Sequence, residues 1–291
     1  VSPINEPQWD WIGDGQEGCH YEPDEALRIC RLVIAELNSR DLDVKVSLPE
    51  TAQWSSKDYT FDLYEDAVND PEIRPYIDHF AGHSYGATKG QKQGAHRFID
   101  SLGLDNPLPL HQTEWGPSVN GNPSLGIDTA VQLAKVVYED LTYLEAESWN
   151  FWLGVSKYNY SDGLLYVKDD NPNYLKISKR FWALGNYSKF VTGHTRITVD
   201  ESDLPGGVCA SAYLDANKGE LAYVVVNEKT SDQVFAFGGL PTDADAEVYE
   251  TSSQRDISSM RGTMLAQYGY TLPAQSVTTF VFRNVNPGNV A

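Results

Sequence analysis

Two glutamates stand directly beyond short apolar runs, Glu6 in "SPINEPQWDW" and Glu114 in "PLHQTEWG". A carboxyl pair of this kind suits cleavage of a glycosidic bond with retention: one group attacks the anomeric carbon, the other protonates the leaving oxygen, and the two sit about 5–5.5 Å apart. His83 and Tyr85 in "FAGHSYG", Gln112 and Trp115 around Glu114, and Trp149 and Asn150 in "SWNFWLG" follow other apolar runs in the same way. Each also has an ordinary structural use. Pro7 fixes a chain's exit from a strand, Glu114 can cap a helix, and His83 with Tyr85 can form a satisfied core pair. His79 and His83 are four positions apart but lie across an expected strand break, so helical metal-ligand spacing does not apply.

Clustering decides between these readings, and clustering depends on the elements that carry the residues. Through residue 190 the chain alternates short apolar runs with helical patterns. "PDEALRICRLVIAELNSR" has proline and acidic residues in its first turn and an inward stripe of Leu27, Cys30, Ile34 and Leu37, which predicts a helix. "VKVSL" predicts a strand followed by a loop holding Glu50 and Trp54. Ile77 to Ala81 predicts a strand broken at Gly82, and "KGQKQGAHRFIDSLG" a helix weakened by Gly94. "PLHQTEW" reads as a strand, "GIDTAVQLAKVVYEDLTYL" as a helix, "SWNFWLG" as a strand and "YLKISKRFWALGNYSKF" as a helix. Successive β-to-α cycles indicate parallel strands covered by helices. Loops then converge at the carboxyl ends of the strands, where all the polar groups named above are placed.

From about Val191 the period changes to short strands separated by Gly, Asn and Asp turns, as in "VCASAYLD", "ELAYVVVNE" and "SVTTFVFRN". This predicts an antiparallel β-sandwich, with domains of 1–190 and 191–291.

With 41 acidic against 22 basic residues, the chain carries a formal charge of −19, which argues against nucleic acid and anionic membrane as partners. A neutral or weakly acidic polysaccharide fits better, and seven tryptophans with seventeen tyrosines supply flat faces of the kind sugar rings stack on. No apolar run reaches the roughly 18 residues that would span a bilayer. Cys19, Cys30 and Cys209 lack metal-site spacing; a Cys19–Cys30 bridge and unpaired small side chains are both open. No motif suggests a metal or organic cofactor. Asn159 and Asn186 begin glycosylation patterns, the second near an expected packed helix end.

"SPINEPQWDW", "FAGHSY", "HQTEWG", "SWNFWLG" and "KRFWALGNYSKF", in that order, resemble glycoside hydrolase family 30, whose members join a (β/α)8 barrel to a side β-sandwich. The resemblance implies retaining, double-displacement hydrolysis of β-glycosides. Glu6, after the fourth barrel strand, would be the general acid/base, and Glu114, after the seventh, the nucleophile. Asn5 would bind the sugar 2-hydroxyl, Tyr85 would stand near the nucleophile with His83 behind or beside it, and Trp149 would floor the subsite of the attacked sugar. Trp54, Trp115, Trp9 and Trp11 are candidates for stacking and subsite walls; Trp9 and Trp11 can instead plug the loop beneath "GDGQEGC". The acid should have a raised pKa, while hydrogen bonds should keep the nucleophile ionised.

Against the family pattern the chain supplies strands four to eight of the barrel and not the first three. This predicts a preceding fragment or a second chain that completes the barrel, together with secretion directed by a signal outside these residues. The resemblance points to endo-acting cleavage of β-1,4-xylan, with β-1,6-galactan or β-1,6-glucan as alternatives. A non-catalytic sugar-binding scaffold and a structural oligomer component are the readings from other classes.

Overall fold

The computed structural model describes residues 1–13, 17–54, 59–117, 124–158, 160–241, 243–260, 264–286 and 288. By contact density the chain forms two compact units, Val1–Trp115 with Glu139–Trp152, and Gly116–Tyr138 with Leu153–Ala291. Helices 127–139 and 179–188, which lie before the change of period at residue 191, are thus grouped largely or wholly with the second unit.

The first unit contains α1 (Pro23–Ser39), β1 (Val46–Thr51), α2 (Tyr59–Asn69), β2 (Ile77–His83), α3 (Lys89–Ser101), β3 (Leu110–Glu114) and β4 (Ser148–Trp149). The strands form a parallel sheet in the order β1-β2-β3-β4. Helix α1 starts where Glu25 accepts a hydrogen bond from the Glu22 backbone N–H (3.0 Å) and Pro23 presets the first turn. It buries Ala26, Leu27, Cys30 and Ile34. Thr88 and Gln91 form a capping box that starts α3 despite its glycines. Five of the six β1 residues are buried, as expected of a parallel strand covered on both faces.

Several expectations are revised. The segment 59–69, given no element by the periodicity, is helix α2, with Phe61, Leu63, Tyr64 and Ala67 in the core beside Phe80 and Leu110. Strand β2 does not stop at Gly82 but continues to His83, and the glycine serves packing instead of a break, since a Cβ there would lie 2.7 Å from the Trp54 ring. "SWNFWLG" contributes only two residues of regular strand. Residues 2–4 are not a regular strand, yet the N-terminal segment runs beside β1: the Val1 amino group donates to Lys45 O, Ser47 N–H to Val1 O, and Glu6 N–H to Glu50 O.

The second unit begins with α4 (Ile127–Glu139). A sheet follows in which β5 (Val155–Ser156) pairs parallel with β6 (Leu165–Lys168), and β6 antiparallel with β7 (Asn171–Ile177). This sheet was not foreseen, and "YLKI", expected to open a helix, belongs to β7; α5 is Lys179–Ser188. Arg180 explains the local order. Wholly buried, its guanidinium donates to Ser124 O, Thr129 Oγ1, Gly163 O and Tyr166 Oη at 2.6–2.8 Å, joining α4, the small sheet and α5.

The remaining strands are β8 (Thr195–Ile197), β9 (Val208–Asp215), β10 (Glu220–Asn227), β11 (Gln233–Phe235), β12 (Asp245–Thr251), β13 (Ser258–Ser259), β14 (Met264–Leu265), β15 (Tyr270–Leu272) and β16 (Ser276–Arg283). An antiparallel sheet runs β13-β12-β16-β10-β9-β8, with β14 also on β12. The β11–β15 pair joins it around Phe235, Leu272, Leu221, Val225, Phe280 and Phe282. The opposite face of β10 and β16 packs Ala222 and Val281 against Phe190, just beyond α5. Asn186 of α5 is fully buried: Nδ2 donates to Thr279 Oγ1 and Tyr249 O, and Oδ1 accepts from Thr251. It therefore has no free amide for a glycan. Asn159 lies outside the described residues. All three cysteines are unbridged, Cys19 exposed and Cys30 buried. Among the described residues no helix is long and apolar enough to cross a membrane.

Candidate active site

The carboxyl ends of β1, β2 and β3 bring four chemically capable side chains together, and irregularities in the strands aim them. In the β1–β2 pairing Pro49 faces Ala81 and Thr51 faces Gly82, so Glu50 bulges out with φ 55°. In the β2–β3 pairing the register jumps from Gly82–Gln112 to His83–Glu114, skipping Thr113. Bulges of this kind re-aim side chains at functional edges. Glu6 also has positive φ, 47°, and its N–H bonds to the carbonyl of Glu50, so two carboxylates occupy backbone positions unfavourable to any side chain.

His83 lies at the centre and is 1% exposed. Its Nδ1 is 2.8 Å from Glu6 Oε1, and its Nε2 is 3.4 Å from Glu50 Oε2 and 3.9 Å from Glu114 Oε2. Burial works against the charged ring, but the hydrogen bonds to Glu50 and Glu6 and the charge of Glu114 outweigh it, raising the pKa to about 9. Near neutral pH the ring is therefore an imidazolium that donates from both nitrogens. Glu50 is governed by the same balance: burial opposes its ionised form, yet bonds from His83 and Thr113 leave its pKa below the usual range.

Tyr85 donates to Glu114 Oε1 at 2.9 Å, and its ring stands edge-on to His83 with centroids 6.0 Å apart. Burial raises the Glu114 pKa, outweighing the His83 charge and the Tyr85 bond that pull the other way. That direction is opposite to the one expected of a nucleophile from sequence. Burial also raises the pKa of the Tyr85 phenol, with the Glu114 charge adding to it, which keeps the hydroxyl a donor.

Of the aromatic candidates, Trp115 is buried and Trp149 half-buried, and they group with Phe151 at centroid separations of 6.3–6.5 Å. Trp54, offered as a stacking surface, is 1% exposed, packed on Gly82 and Phe80 in the core, and so has no open face. Trp11 packs over Gly18 and donates from Nε1 to the Glu6 carbonyl (3.3 Å), which is the plug alternative; Trp9 is exposed. Asn5 is exposed beside Glu6. Sequence reasoning placed Glu50 in a loop and gave it no role. The available signal was the same as for Glu6 and Glu114, a glutamate at the end of an apolar run.

Glu6, His83 and Glu114 offer potential ligand atoms within 4.8 Å of one another. A metal held here would have to displace a proton from His83, whose two nitrogens both face carboxylates, whereas proton handling uses the arrangement as it stands.

Residues 1–166, more than half of the chain, match O-glycosyl hydrolase family 30, and the chain belongs to that family. A curated relative, glucuronoxylanase XynC of Bacillus subtilis, is 26% identical over 97% of this chain and 60% of its own length. An endo-β-1,6-galactanase of Hypocrea rufa is 24% identical over 78% of this chain and 43% of its own length. Among solved structures, a family 30 endoxylanase from Clostridium papyrosolvens superposes with a TM-score of 0.70 at 21% identity, covering 97% of this chain and 65% of that one. A conserved exported protein from Bacteroides fragilis gives 0.76 at 20% identity, covering 97% and 64%. The chain thus spans about three fifths of the length of the glucuronoxylanase and of the two solved structures and less than half of the galactanase, and its mixed α/β and antiparallel β architecture agrees with that of the solved structures.

Proposed function

We propose that the protein is a retaining glycoside hydrolase acting on β-linked polysaccharide, with Glu114 as nucleophile and Glu6 as general acid/base. The observation that carries the reading is the approach of the two carboxylates, with ligand atoms within 4.8 Å of each other and of His83. So close an approach belongs to the short-separation class that suits direct attack, and not to the wider one that inversion requires. In the first step a Glu114 oxygen forms a bond to the anomeric carbon while the glycosidic bond breaks and Glu6 delivers its proton to the leaving oxygen. In the second, Glu6 takes a proton from water, which attacks the same carbon and releases Glu114.

The surroundings favour this division of labour. His83 Nδ1–H occupies Glu6 Oε1 and leaves Oε2 for the transferable proton. Burial makes the ionised Glu114 costly, and forming a neutral glycosyl ester relieves that cost, while Tyr85 fixes the attacking group's direction. Asn5 binds the 2-hydroxyl, Trp149 forms the floor, and Trp115 and Trp9 line the flanking wall. Residues 1–190 supply barrel strands four to eight and 191–291 the side domain.

The polymer is β-1,4-xylan, cleaved internally; a β-1,6-galactan is the second reading, favoured by the galactanase relative. Polymers of this size do not cross membranes, so the protein acts outside the cell. The test uses the protein as naturally produced, on xylan, β-1,6-galactan and β-1,6-glucan, with NMR of the first anomer released. Glu114→Gln abolishes hydrolysis while oligosaccharide binding survives, and Glu6→Gln lowers the rate by about 10²–10⁴-fold. An unchanged rate in Glu114→Gln, or a first product of inverted configuration, overturns the reading.

A further inference from the structure

Behind the active-site edge lies a second buried polar cluster that the proposed chemistry does not use. After α4 the chain makes one π-helical turn, Asp140–Leu144, ending at Glu145 with φ 58°; single π turns often mark functional positions. Asp140, the first residue of that turn, is wholly buried. Trp149 Nε1–H donates to its Oδ2 at 2.8 Å, and Ser84 Oγ–H to its Oδ1 at 2.8 Å. Lys92 Nζ, also wholly buried on α3, lies 2.9 Å from Oδ1 and 3.2 Å from Glu139 Oε2. Three donors converge on two oxygens, which is the arrangement of an ionised carboxylate with its partners supplied.

The placement bears on the site. Ser84 separates His83 from Tyr85 in sequence, and its backbone N–H reaches the carbonyl of Glu114 (3.4 Å). Trp149 sits at the end of β4, a strand of only two residues, and its neighbour Asn150 is held by the backbone and side chain of Gln112. So short a strand fixes the backbone of Trp149 without fixing the rotation of a large half-buried ring. Beside the packing of Trp115 and Phe151, the directional contact on that ring is the indole N–H bond to the Asp140 carboxylate. A buried ion pair is poor at adding net stability, because desolvating both charges offsets most of their attraction. Orienting the ring gives the pair a role that stability alone does not.

We propose that Asp140 is a positioning residue that, held by Lys92, fixes the indole plane of Trp149 against the attacked sugar. This rests on the reading of Trp149 as the floor of that subsite. The experiment compares wild type with Asp140→Asn and with the charge-balanced Asp140→Asn/Lys92→Met, which leaves no unpaired buried ammonium and keeps the test open where the single variant fails to fold. Indole ¹H–¹⁵N spectra, with the Trp149 signal assigned through Trp149→Phe, report the hydrogen bond without any ligand. Hydrolysis is measured well below each variant's melting temperature.

The expected result is an upfield move of the Trp149 indole signal together with a fall in kcat of about tenfold to a hundredfold and a much smaller change in KM. An unchanged kcat overturns the proposal, whatever the melting temperature does. So does a reduced kcat with an unmoved indole signal, since the effect then bypasses Trp149. Glu114→Gln run alongside separates the two levels. If it retains hydrolysis, the glycosidase reading itself fails; if it collapses while the Asp140 variants keep wild-type kcat, only the positioning role fails.

Discussion

Removing the proton from His83 should loosen the site and cost the fold a measurable share of its stability. The ring is 1% exposed and its pKa is raised from 6.5 to about 9, so no solvent discount applies to the contacts with Glu6 and Glu50. For a group raised in the folded state, stabilisation is complete below the unfolded value of 6.5 and disappears as pH climbs through the folded value near 9. Between those limits the folded chain holds a proton that the unfolded chain has lost, so stability falls by about 1.4 kcal/mol per pH unit, or about 3 kcal/mol in all. The depressed pKa of Glu50 reports the same hydrogen bond from the other side and is not added. Its own signature lies at the acid end, where stability present above the usual glutamate range is lost as pH falls through the lowered folded value.

Urea denaturation at pH 6 and pH 9.5, for wild type and His83→Gln, isolates the effect. Groups common to both proteins cancel, and wild type alone should lose about 3 kcal/mol more across the interval. NMR of the His83 Cε1–H should show its titration displaced well above 6.5. Parallel pH dependences of the two proteins, or a His83 titration near 6.5, would refute the imidazolium.

Two further substitutions test the packing that supports the site and the side domain. Gly82→Ala places a Cβ 2.7 Å from the Trp54 ring and should cost about 1–3 kcal/mol by overpacking, seen as a lowered thermal midpoint that Trp54→Phe in the same protein partly restores. An unaltered midpoint would mean that the ring can withdraw. Asn186→Leu removes the acceptor of the Thr251 O–H and a donor to the Tyr249 carbonyl in the interior and should cost about 2–4 kcal/mol in urea denaturation; a midpoint equal to wild type would remove Asn186 from its role as a hub.

What could be read in the sequence was local and periodic. The stripe of α1 and the apolar runs of β1, β3 and β10 each contain their own signal within a dozen residues. Helix α2 escaped because its short aromatic and acidic mixture has no proline in its first turn to mark a start, and β7 escaped because its residues are mostly exposed and show no alternation. The candidate site followed the same division. Glu6, Glu114, His83 and Tyr85 announced themselves as polar residues after apolar runs, and the structure gathers them. Glu50 carried the same signal, and only the bulge that aims it was hidden, while Asp140 depends on a π turn, a departure from regular geometry that a periodic reading smooths away. Trp54 misled for the complementary reason: aromatic composition does not distinguish a ring on a surface from one filling the space over a glycine.

The first unit is not contiguous in sequence: residues 139–152 return to it after residues 116–138 have packed elsewhere. Strand β3 ends at Glu114 and β4 begins at Ser148, so the β3–β4 pairing closes a long loop whose entropy must be met before the contact forms. During synthesis a ribosome releases the proposed nucleophile well before the ring meant to lie beneath the sugar. A gene fragment ended at Trp115 would encode Glu6, His83 and Glu114 together, yet leave out Trp149 and the Asp140 turn. Dissection of this chain therefore has to follow contacts and not the linear order of its residues.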